Sequence, residues 1–159
     1  MYNFISKSEK DTINFAKGLA SKLHKGDIIV LTGELGSGKT KFTQGFLEYF
    51  GLENEISSPT FTIVNEYNSN TGLNIYHFDV YRLSDTDEFY AIGGDEYFEN
   101  GICIIEWGEL IKDALPKDYI HITFEKDDSD ENYRKLKVET FGNKYQNLFI
   151  RIKWYGDGS

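Results

Sequence analysis

Between the apolar run DIIVLT and the helix-like stretch KFTQGFLEYF the chain carries GELGSGKT, Gly33 to Thr40. It satisfies the pattern GxxxxGKS/T, and a buried strand before it with a helix after it is the context in which that pattern has a physical meaning. Glycines at 33, 36 and 38 let the backbone fold around an anion without Cβ clashes, so that successive amide hydrogens point inward. The helix that opens near Lys39 adds its positive end to the same cavity. Lys39 is placed to reach the β- and γ-phosphates of a nucleoside triphosphate, Ser37 to complete the loop, and the Thr40 hydroxyl to bind Mg²⁺. The loop predicts an α/β fold of the P-loop NTPase kind. It is silent on what the triphosphate is used for.

The rest of the chain fits such a fold. At 159 residues it is long enough for one domain with a real core, and 40% apolar with 27% charged residues is ordinary for a globular protein. No apolar run approaches the ~20 residues that span a bilayer, and MYNFISKSEKDT lacks the basic start and apolar centre of a secretory signal, so a cytoplasmic location is expected. Cys103 stands alone inside GICIIEW, which predicts a buried thiol. His24, His77 and His121 are isolated and show no zinc-ligand spacing. The net charge of -9, with no cluster of Lys and Arg, disfavours direct contact with RNA or DNA.

SEKDTINFAKGLASKLHKGD reads as a first helix, with Ser8 and Asp11 in capping-box positions, Ile13, Ala16, Leu19, Ala20 and Leu23 on one face, and Gly26 as its stop. DIIVLT reads as a strand covered on both faces. A second helix follows Lys39, turns Phe42, Phe46, Leu47 and Phe50 inward and ends at Gly51. TFTIVNEY and LNIYHFDVY, joined by NSNTG, read as an antiparallel strand pair. SDTDEFYAIGGDEYFEN reads as short helices capped by Ser84 and broken at Gly93 and Gly94, GICIIEW as a core strand, and GELIKDAL as a short helix closed by Pro116. DYIHITFEK and RKLKVETF alternate as paired strands around DDSDENY, an acidic tip without the glycine and closing glutamate of a calcium loop. The tail NKYQNLFIRIKWYGDGS adds a final strand. The expected architecture is a single three-layer domain over residues 1–159, with a mixed parallel and antiparallel sheet.

Mg²⁺ on a triphosphate takes a carboxylate from the end of a second strand. Two acidic residues end apolar runs: Asp79 in NIYHFDVY and Glu106 in CIIEW. Either can serve the metal, leaving the other to orient the attacking water or accept its proton. Thr60 in SSPTF follows the first P-loop helix, where switch loops supply a threonine to metal or γ-phosphate; the alternative is a polar turn. Arg82, Arg134 and Arg151 are the only arginines. An arginine supplied by a partner accelerates phosphoryl transfer by ~10³ to 10⁵, so a site without one predicts slow hydrolysis by the chain alone. Arg82, three residues after Asp79, reads either as that cation or as the partner of Asp85 or Asp87. A guanine-selecting NKxD segment is missing. The stretch 107–133, where a small-molecule kinase carries an arginine-bearing lid, contains no arginine, which leaves a P-loop kinase as the alternative reading.

Taken in order, GELGSGKT, SPTFTIVNEY, HFDVYRL and IEWGE resemble the TsaE (YjeE-type) family of bacterial tRNA threonylcarbamoyladenosine biosynthesis. The resemblance runs from about Ser8 to Leu115, and the chain departs from it chiefly in the tail beyond Phe141. It implies a small ATPase that uses ATP and Mg²⁺ and works with TsaB and TsaD proteins, the latter making the carbamoyl transfer, so that tRNA is met only indirectly. By the same resemblance Lys39 and the loop glycines bind phosphate, Thr40 and Glu106 stand at Mg²⁺, and Asp79 is an essential acid beside them. Glu9 and Thr12 approach the nucleotide from the first helix, and Arg134 closes the other side. Trp107 belongs to the site or partner surface, or else caps the core. Ser37 stands where the family often has alanine.

Overall fold

The computed structural model describes residues 1–52, 54 and 63–148. In chain order the elements are β1 (Tyr2–Ser6), α1 (Glu9–Ala20), β2 (Ile28–Thr32), α2 (Lys39–Tyr49), β3 (Val64–Asn68), β4 (Asn74–Asp79), α3 (Thr86–Ala91), β5 (Gly101–Glu106), β6 (Tyr119–Lys126) and β7 (Arg134–Phe141). Two 3-10 segments, Gly94–Tyr97 and Gly108–Ala114, flank β5. The strands form one sheet in the order β1-β7-β6-β2-β5-β4-β3. Its centre, β6-β2-β5-β4, is parallel, and both margins are antiparallel. The mixed α/β sheet expected from the sequence is therefore observed.

The period of two along the central strands separates the core into two layers. Ile29, Leu31, Ile102, Ile104, Ile120 and Ile122 face α1 and α2, where Phe15, Leu19, Phe42 and Phe46 meet them. Ile28, Val30, Cys103 and Ile105 face the opposite way, toward Phe89 of α3, Phe98 and Ile111. Helical segments thus cover both faces of the sheet.

α1 begins as predicted. The Ser8 side chain accepts from the Asp11 amide at 3.1 Å, and Asp11 Oδ2 accepts from the Lys7 amide at 2.9 Å. It ends earlier than Gly26. Ser21 caps it, and the buried Asp27 carboxylate takes the His24 amide at 2.6 Å, pulling that segment into a turn. Phe15 occupies the inner face, whereas Ile13 is only half-buried. The cap of α3 is Asp85, whose side chain accepts from the Glu88 amide. Ser84 instead donates from both its amide and its hydroxyl to Glu88 Oε2, at 2.8 and 2.6 Å. The strand β1, not expected from the sequence, adds an edge to β7. The acidic tip between β6 and β7 is a turn organised by Asp127, which accepts from the Ser129 and Asp130 amides. The expected tail strand lies mainly in 149–159, outside the described residues, as does Thr60. Among the described residues no helix is long and apolar enough to cross a membrane.

Candidate functional site

β2 leads directly into the glycine-rich loop, and the three glycines serve two different needs. Gly36 (φ 82°) and Gly38 (φ 114°) occupy left-handed backbone that side chains rarely adopt. Gly33 is needed for space: a Cβ there would sit 2.6 Å from Ser37 Oγ and 3.0 Å from the Phe124 carbonyl. α2 then starts from Gly38 with no side-chain cap and no acidic residue in its first turn. The Phe42 amide makes the first helical bond, to Gly38 O at 3.0 Å. The amides of Lys39, Thr40 and Lys41 thus begin the helix with no acceptor inside it. An uncapped helix start beside a lysine, over a loop held open by glycines, fits a polyphosphate.

The carboxylates come from the neighbouring strands at the same edge. Asp79 ends β4, Glu106 ends β5, and the two are register partners; Glu106 is also in register with Leu31 of β2. By strand alternation both fall on the α1/α2 face of the sheet, together with His77. Glu106 Oε1 lies 3.6 Å from Lys39 Nζ, and Glu106 Oε2 lies 2.6 Å from His77 Nε2. Burial pushes the Glu106 carboxyl upward, but the His77 hydrogen bond and the charges of His77 and Lys39 outweigh it and hold the group below the usual carboxylate range. Glu106 is therefore an ionised acceptor at neutral pH. Asp79 Oδ1 accepts from the Tyr81 amide at 3.1 Å, which fixes its side chain at the strand end.

Trp107 follows Glu106 in left-handed backbone (φ 62°), the one described residue other than glycine to do so. That turn brings its ring to 4.8 Å from Lys39 Nζ, with Tyr81 packed against it at 5.4 Å. Trp107 lines the cleft and also packs against the core layer of Val30, Ile105 and Ile111, so the two sequence readings for it meet in one residue.

These groups line a cleft of about 720 Å³. Gly36, Gly38, Lys39, Thr40, Asp79 and Glu106 line it, and so do Glu9, Thr12 and Arg134. Arg134 donates to Gly36 O at 3.3 Å, tying β7 to the loop. Glu9 faces Lys41 across 3.6 Å on the surface. The Thr12 hydroxyl is buried against Ser6 Oγ at 2.6 Å, so its hydrogen-bonding capacity is partly used within the fold. Gly33 and Ser37 lie beneath the wall rather than in it, and exposed Arg82 is not among the lining residues. Sequence reasoning missed His77, Tyr81 and Lys41. The signal for His77 was a polar residue two before Asp79, on a strand face otherwise apolar.

A family model described as the threonylcarbamoyl adenosine biosynthesis protein TsaE matches residues 6–136, further than the four motifs reach. The chain is 41% identical over 140 residues to a tRNA threonylcarbamoyladenosine biosynthesis protein TsaE of Bacillus subtilis, covering 87% of this chain and 85% of that protein. It is 40% identical over 114 residues to the protein so named in Treponema pallidum, covering 71% and 83%. The crystal structure of Bacillus subtilis YdiB superposes with a TM-score of 0.73 at 36% identity, over 94% of this chain and 91% of that one. The matched span takes in the glycine-rich loop and both strand-end carboxylates, and this chain belongs to the TsaE family.

Proposed function

We propose that this chain binds ATP with Mg²⁺ in the 720 Å³ cleft and hydrolyses it slowly alone and faster with partner proteins, as the ATPase of tRNA threonylcarbamoyladenosine formation. The observation that carries the reading is Lys39, at the uncapped start of α2, facing ionised Glu106 across 3.6 Å with Asp79 in register beside it. The amides of the loop and Lys39 bind the phosphates. The Thr40 hydroxyl and one of the two carboxylates hold Mg²⁺, and the other carboxylate orients water or accepts its proton. Bound Mg²⁺ would neutralise charge on the phosphates. Glu9, Thr12 and Arg134 border the space left for the nucleoside.

The partners in this reading are TsaB and TsaD proteins, with tRNA reached through them and the cytoplasm as the location. A chain of net charge -9 suits a protein that leaves RNA to others. Calorimetry with ATP and Mg²⁺ should show binding that Lys39→Ala abolishes, and phosphate release should rise when TsaB and TsaD are added. Binding that survives Lys39→Ala, or a rate indifferent to both partners, would refute it. Transfer of the γ-phosphoryl group to a small acceptor without partners would favour a kinase instead.

A further inference from the structure

His77 is the buried polar residue of β4 that phosphate binding does not use. It is 6% exposed, on a face where β4 otherwise buries Ile75. A polar ring in such a place requires a partner. In the sheet His77 pairs with Ile104, and Glu106 pairs with Asp79, so the ring reaches one pleat forward, diagonally across the strand gap, to Glu106 Oε2. The contact is 2.6 Å. A carboxylate offers only acceptors, so across this 2.6 Å contact it is the tautomer with hydrogen on Nε2 that makes the bond, and the ring donates. Such charge-assisted bonds are short and directional.

A glutamate side chain otherwise swings and rotates its two oxygens freely. Here one oxygen is fixed by His77, which leaves Oε1 turned toward Lys39 Nζ and the cleft. We infer that His77 is a positioning residue: through its Nε2–H it holds the Glu106 carboxylate in one orientation, with Oε1 presented to the reacting end of the cleft. This rests on the ATPase reading above. Groups that orient a ligand or base in this way typically change metal affinity or activity by roughly 10- to 100-fold when lost.

The test compares His77→Leu, which fills the space without a donor, and His77→Gln, whose amide restores one. ADP binding in the presence of a chelator should be unchanged in both, showing that fold and loop are intact. Partner-stimulated ATP turnover should fall about 10- to 100-fold in His77→Leu and recover in His77→Gln. Independently, the wild-type chain should show a downfield imidazole Nε2–H proton resonance that disappears in Glu106→Ala. Wild-type turnover in His77→Leu, equal impairment in the two variants, or the lack of that resonance would each overturn the inference. Absence of ATP turnover in the wild-type chain would instead refute the ATPase reading, while the resonance still decides whether His77 holds Glu106.

Discussion

Ser37 offers a test of the loop in which stability and ligand binding should separate. Its side chain is 1% exposed, its Oγ has no hydrogen-bond partner among the described residues, and it packs beneath Gly33 rather than into the cleft. A buried hydroxyl without a partner costs about 1–3 kcal/mol. Ser37→Ala removes only that oxygen. The Ser37 amide keeps its bond to Glu34 O at 3.0 Å, so the turn is retained, and the space vacated is too small to forfeit much packing. Taking the low end, the variant should be more stable by roughly 1 kcal/mol. For a chain of this length that raises the melting temperature by about 2–4 °C. Chemical denaturation gives the free energy, a thermal scan the midpoint, and calorimetry with ADP the affinity, which should not change. A lower midpoint would show that the hydroxyl makes a stabilising bond inside the loop. Tenfold weaker ADP binding would show that it faces the ligand.

Other perturbations follow from the same geometry. A Cβ on Gly45 would lie 2.4 Å from Ile13 O and 2.8 Å from its Cα, so Gly45→Ala must push α1 and α2 apart. A loss of about 1–3 kcal/mol or more in urea unfolding is expected. Burial pushes the Cys103 thiol up to about 12, and the side chain is 0% exposed, so maleimide should label it at pH 8 only after denaturation. Tyr145 donates to the buried Asp27 carboxylate at 2.7 Å, and Tyr145→Phe should cost about 1.5–3 kcal/mol, the range for a bond to a charged group. Glu106, held below the usual carboxylate range in the fold, adds stability that is complete above its unfolded pKa and fades as pH falls through its lowered value. Glu106→Gln should therefore flatten the acid side of the stability profile.

The parts legible in sequence were those whose cause is local. A glycine-rich loop between an apolar strand and an amphipathic helix states its own geometry, and Asp79 and Glu106 declare themselves by ending apolar runs. What was not legible depends on contacts between distant segments. YNFIS is too short to announce an edge strand, and its pairing with β7 joins Tyr2 to Val138 across nearly the whole chain. Gly26 is a helix stop in sequence, but α1 ends before it because Asp27 captures the His24 amide and Tyr145 closes over that carboxylate, neither of which the local sequence states. Ser84 and Asp85 are both good caps, and only the position of Glu88 decides between them. Gly33 reads in the sequence as room for an anion, yet the room it supplies is beside Ser37 and Phe124, the latter on a strand much further along the chain.

Register is what converts these separate segments into one site. β2, β5 and β4 run parallel, so their carboxyl ends reach the same edge, where open α/β sheets place their ligands. Pleating then sorts the side chains: Glu106 and Asp79 turn toward α2, while Thr32, one residue from Leu31, turns the other way to meet Glu109 and His121 at 2.7 and 2.8 Å. A slip of one residue in β5 would carry Glu106 to the α3 side and bring Ile105 to Lys39, exposing a carboxylate to an apolar layer and leaving the lysine without its partner. The apolar residues of β5 on both faces hold that register, since each of Ile102, Cys103, Ile104 and Ile105 is fully buried. The chemistry at the strand end is thus secured by core packing behind it: four buried side chains determine which way the next one points.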